Sequence, residues 1–114
     1  MAAQERANYP SDFREVERWV SEALYRSISR AMGTCVSFTP KTLLEYINKE
    51  NVIPVVLTLI KHILEELYKH GLLEKDQSRS IIRYRVCRDS PLWNLAKDSQ
   101  DPSKILTLLM TIVE

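Results

Sequence analysis

A chain of 114 residues with 45% apolar and 27% charged side chains is long enough to enclose one modest core and too short for two. Two Gly and five Pro exclude a low-complexity polymer and leave a compact, helix-rich domain. The net charge of +1 argues neither for nor against an anionic partner, and no run approaches the roughly 18 apolar residues of a membrane span.

Residues 1–8 are polar and carry no apolar leader core, which points to a cytoplasmic protein. Cysteine usage reads the same way. Cys35 and Cys87 are isolated, with no CxxC pair, and are expected to be two small buried side chains outside any disulfide framework. With His62 and His70 they formally complete a zinc set, but the scattered spacing is unlike a structural site, so no metal or cofactor is expected. There is no Gly-rich phosphate loop and no nucleophile context, and Glu15, Glu17, Glu65 and Glu66 have the spacing of exposed helices. A binding module is expected, not an enzyme.

In chain order, residues 1–10 form a tail. Ser11 can cap a first helix with apolar positions Phe13, Val16, Val20, Ala23, Leu24, Ile28 and Ala31 at spacings of three and four, Trp19 beside them, and Gly33 as its stop. Residues 35–38 read as a brief strand able to pair with a later hairpin. Thr39-Pro40 opens a second helix that runs to about Glu50 with Leu43, Leu44 and Ile47 inward.

Asn51 can cap the third helix, residues 54–70, whose Pro54 suits the first turn. Its inward face is Leu57, Ile60, Ile63, Leu64 and Leu67. The other face carries Val55, Thr58, Lys61, His62, Glu65 and Lys69. The run Leu72-Leu73-Glu74-Lys75, a polar loop and the alternating strand 81–87 then make a hairpin, in which Tyr84 reads as a packing residue.

Charge is uneven. Residues 75–88 hold five cations (Lys75, Arg79, Arg83, Arg85, Arg88) against one acid, Asp76, leaving the remainder net acidic. Ser90-Pro91 starts a short helical turn through Leu92, Trp93 and Leu95, and Asp101-Pro102 precedes a last helix over residues 103–113. That helix is apolar on several faces. Ile105, Leu108, Leu109 and Ile112 are therefore assigned to a homodimer contact, with closure of the chain's own core as the alternative.

The order helix, strand, helix, turn, helix, strand, strand, helix resembles the winged helix-turn-helix superfamily, as in small MarR- and PadR-like DNA-binding regulators. Phe38-Thr39-Pro40 and the stretch from Ile63-Leu64-Glu65-Glu66-Leu67 through Tyr68-Lys69-His70-Gly71-Leu72-Leu73-Glu74-Lys75 carry the likeness. The implied fold is α+β and mostly helical: a three-helix core with a β-hairpin wing over residues 11–90 and an added helical extension over 91–114.

The resemblance implies a transcriptional regulator that binds double-stranded DNA. Helix 54–70 would enter the major groove and the basic wing 75–88 would lie on the backbone. Thr58, Lys61, His62, Glu65 and Lys69 would face the groove, with Lys61 suited to guanine and Glu65 to cytosine. Lys75, Arg79, Arg83 and Arg85 would meet phosphates, Arg79 foremost at the tip. The alternative is a winged helix serving as an interaction subunit of a nucleic-acid-handling complex, with Val55 and Val56 at the start of helix 54–70 meeting a protein partner.

Overall fold

The computed structural model describes residues 13–49, 51–78 and 80–113; the tail 1–10, the Ser11 cap and Arg79 lie outside them. The described residues form five helices and three strands: α1 (Phe13–Ser29), β1 (Cys35–Phe38), α2 (Pro40–Glu45), α3 (Pro54–Lys69), β2 (Glu74–Asp76), β3 (Arg83–Cys87), α4 (Pro91–Asp98) and α5 (Ser103–Val113). The fold is α+β and mostly helical, as the sequence predicts.

The three-and-four spacing in α1 puts Val16, Val20, Ala23, Leu24 and Ile28 on one stripe, and all five are fully buried. Helices α2, α3, α4 and α5 all pack on α1. Burying one aliphatic side chain of this size contributes roughly 1.5–3 kcal/mol, so the shared stripe is the main anchor of the fold. The helix ends at Ser29, four residues ahead of Gly33. Its hydrogen bonds tighten from Arg30–Arg26 to Ala31–Ile28, so Gly33 is not the terminating residue.

Thr39 caps α2 in a reciprocal box: the Thr42 amide donates to the Thr39 hydroxyl at 3.1 Å, and the Thr39 amide donates to the Thr42 hydroxyl at 2.8 Å. The helix stops at Glu45, short of the expected Glu50. Asn48 takes a left-handed φ of 60°, which lets the Lys49 amide donate to the Leu44 carbonyl and the Asn48 amide to Glu45, a Schellman ending built on Asn instead of Gly. Ile47 is still carried into the core.

Asn51 does not cap α3. It too is left-handed, at φ 56°, and the N-cap is Ile53, which makes no side-chain capping bond. The other end follows expectation. Gly71 at φ 76° closes the helix with the Leu72 amide on the Leu67 carbonyl and the Gly71 amide on Tyr68.

The strands form one antiparallel sheet in the order β1-β3-β2, so the brief first strand does pair with the hairpin, with Phe38 opposite Tyr84 and Lys75 opposite Tyr84 on the other side. Strand β3 begins at Arg83, two residues later than predicted, and Ile81 is left 61% exposed. Alternation buries Tyr84 and Val86 and exposes Arg83 and Arg85, confirming Tyr84 as a packing residue.

Asp101 accepts from the Ser103 amide at 2.8 Å and starts α5, and Ser90 caps α4. Leu92, Trp93, Ala96, Ile105 and Leu109 join the same core as α1. Ile105 and Leu109 are therefore fully buried within one chain, and the dimer assignment is corrected for those two; Leu108 and Ile112 are half-buried and pack against the same core.

The cysteines depart from expectation. Cys35 is exposed, Cys87 is half-buried, and the two are joined by a disulfide across the first register pair of β1 and β3. Neighbours 52 apart in sequence become cross-strand neighbours only once the sheet forms, which spacing alone does not reveal. The bridge removes both sulfurs from any zinc set, and it removes the support that unpaired cysteines lent to a cytoplasmic location. No described helix is long and apolar enough to cross a membrane.

Candidate nucleic-acid interface

Helix α3 turns Val56, Ile60, Ile63, Leu64 and Leu67 inward. Geometry then fixes what is left outside: Val55, Thr58, Lys61, His62 and Lys69 are all exposed. Val56 lies in the core at 2% exposure, so only Val55, at 59%, is free to meet a partner. Leu57 is half-buried, displaced from the inward position that the periodicity gave it.

The Thr58 hydroxyl donates back to the Pro54 carbonyl at 3.1 Å, which leaves its oxygen and methyl outward. The His62 ring lies 6.4 Å from that of Phe13, tying the middle of the stripe to the start of α1. Lys69 reaches Glu66 at 3.4 Å, an exposed i,i+3 pair of little energetic weight.

Glu65 lies in this same stripe, one turn from Lys61 and from Lys69, and is half-buried. Its carboxylate takes both bonds from the Lys75 ammonium, at 3.0 and 3.1 Å, and one from the Tyr84 hydroxyl at 2.5 Å. The Lys75 ammonium also lies 4.5 Å from the centre of the Tyr68 ring. Burial works to raise the Glu65 carboxyl, but the Tyr84 and Lys75 hydrogen bonds and the nearby lysine charges outweigh it and hold the group below its ordinary value. Tyr84 is pushed well above the usual phenol range by burial, and further by the adjacent carboxylate.

The sequence assigns Glu65 to base contact and Lys75 to phosphate contact, and the structure engages them with each other instead. The pair fastens the hairpin to α3. The signal was present in the strand: Glu74 and Asp76 alternate outward, which turns Lys75 inward beside Tyr84.

The other hairpin cations are divided. Arg85 holds Glu74 across the sheet at 2.6 Å, with both side chains about half exposed. Glu74 lies just before residues 75–88, so the charge excess of that stretch overstates the charge available. Arg83 is exposed opposite Asp76 and lines a shallow groove of about 330 Å³ with Arg30, Ser37 and Tyr46. Lys41 on α2 and Lys49 in the following turn border a second hollow of about 430 Å³ that reaches Val52 and Leu57 at the start of α3. Sequence reasoning missed Lys41 and Arg30. Neither belongs to α3 or the hairpin, and only the packing of α1 and α2 brings them near.

Among the described residues no group of three His, Cys, Asp or Glu side chains is placed to hold a metal ion. Comparison of this chain with protein-family models, with curated proteins and with solved structures returns no match.

Proposed function

We propose that this chain is a winged helix-turn-helix module that binds duplex DNA, laying the exposed side of α3 in the major groove with the β2–β3 hairpin beside it on the backbone. The observation that carries this reading is the clamp of Glu65, Lys75 and Tyr84, which fixes the hairpin against the outer stripe of α3 while Thr58, Lys61, His62 and Lys69 of that same stripe stay exposed. A helix and a ribbon held at a set angle form a rigid two-point grip of the kind a duplex requires.

Lys61 and Lys69 on the helix, Lys41 beside it and Arg83 on the sheet supply the phosphate contacts. Glu65 serves the clamp and reads no base. In this reading the protein acts in transcriptional regulation, and two copies meet through Leu108 and Ile112 of α5 to span a two-fold site. Fluorescence anisotropy on random duplex DNA tests it: Lys61→Ala with Arg83→Ala weakens binding about equally on every sequence, while Thr58→Ala affects only a preferred one. Wild-type affinity in the double variant overturns the assignment of these cations.

A second reading is favoured by Val55, 59% exposed at the entry to α3: a winged helix used as a subunit that docks protein through this end. Val55→Asp would then abolish a copurifying partner and leave DNA binding unchanged.

A further inference from the structure

The solvent side of the sheet carries a covalent feature that neither the DNA grip nor the core uses. Cys35 and Cys87 are directly opposite on β1 and β3, and the residues next to them, Val36 and Val86, face the other way. The bridge therefore lies on the outer face, with Cys35 exposed. A sulfur so placed meets a dissolved thiol without any opening of the core.

The bridge also closes the junction between the turn over residues 30–34 and the end of β3. Beside it the Arg88 amide donates to the Thr34 carbonyl at 3.0 Å, and the Lys97 ammonium donates to the Ala31 carbonyl at 3.2 Å. Further along the strands the hold is independent of sulfur. Phe38, Tyr84 and Val86 are buried, three more register pairs follow, and the Thr39 box secures the passage into α2. Cleavage thus frees the turn and the first residues of β1 and leaves the rest of the sheet in place.

We propose that the Cys35–Cys87 bridge is a thiol–disulfide exchange site for a small dithiol, broken and re-formed in the folded chain, which sets how firmly residues 30–36 are held against β3. The thiolate of the dithiol attacks the exposed sulfur of Cys35. A mixed disulfide forms there, the bond to Cys87 breaks, and Cys87 leaves as a thiolate beside Arg88. The second thiol of the reductant, once deprotonated, attacks the reductant's own sulfur in the mixed disulfide and releases the Cys35 thiolate with a cyclic oxidised dithiol. Two electrons pass to the bridge, and the two protons given up by the dithiol end on the cysteines below a thiol pKa of about 8.5.

The test treats the full chain with dithiothreitol without denaturant, traps free thiols by alkylation and counts the added groups by mass. Two additions are expected, at a rate within about tenfold of that in guanidinium, with near-UV circular dichroism retained. In the reduced chain the amide of Arg88 exchanges near the unprotected rate while that of Leu64 stays protected. The double variant Cys35→Ser, Cys87→Ser reproduces the reduced exchange pattern and ignores dithiothreitol. Resistance to reduction until the chain is denatured overturns the proposal, as does collapse of the near-UV signal on reduction. Equal protection at Arg88 and Leu64 in the reduced chain overturns it too, since both would then exchange only through opening of the whole fold and no particular segment would have been freed.

Discussion

On the inner face of the sheet Phe38, Tyr84 and Val86 are buried against the helices and Lys75 reaches across to Glu65, whereas on the outer face Cys35, Ser37, Arg83 and Arg85 meet solvent. The inner face is held by packing and by one partly buried charge cluster, the outer by a covalent bond and an exposed ion pair. The same period-two alternation generates both. It sends a cation inward at Lys75 and outward at Arg83, and only the outward one is free to meet a phosphate.

Breaking the outer face at its bond has the largest expected effect. Replacing both cysteines by Ser removes a constraint on a loop with a sequence separation of 52, worth about 4 kcal/mol in the chain-entropy account. Guanidinium unfolding should show a lower midpoint with the variant still folded at its start. Breaking the inner face at its polar centre costs less. Tyr84→Phe removes a hydrogen bond to a charged acceptor and should lower stability by about 1–2 kcal/mol, the Glu65 cluster being partly open to water.

The inner cluster also sets a pH dependence. The Glu65 carboxyl is held below its ordinary value of 4.5 in the folded state, so its contribution is present above that value and is lost as pH falls through the folded value. For Tyr84, held above its ordinary 10.0, the contribution is complete below pH 10 and is lost as pH rises toward the folded value. Thermal melts across pH should show an acid limb that is shallower in Glu65→Gln and an alkaline limb that is absent in Tyr84→Phe. The smallest effect on stability belongs to Arg83→Ala, expected within about 0.5 kcal/mol of wild type, which makes it a clean probe of binding.

The helices were legible because their apolar periods and Thr or Ser caps are local. The stripe of α1, the Thr39-Pro40 start and the Gly71 stop can each be read within one or two turns of chain. What required the fold was everything decided by residues far apart in sequence. Asn48 ends α2 through a left-handed turn that any Asn can decline. Cys35 meets Cys87 only when β1 joins β3. Glu65 looks outward on a helical wheel until the hairpin brings Lys75 and Tyr84 to it. Of the candidate site, the exposed positions Thr58, Lys61, His62 and Lys69 followed from period alone, while the retention of Lys75 inside and of Arg85 on Glu74 did not.

The claim that depends most on this division is that four outward cations, Lys41, Lys61, Lys69 and Arg83, grip the DNA backbone beside α3. Salt titration of random-duplex binding measures that number directly: log K should fall linearly with log salt with a slope of about −3.6 for each chain bound, from detectable binding at about 50 mM. No binding at that salt, or a slope indifferent to Lys61→Ala and Arg83→Ala, contradicts it.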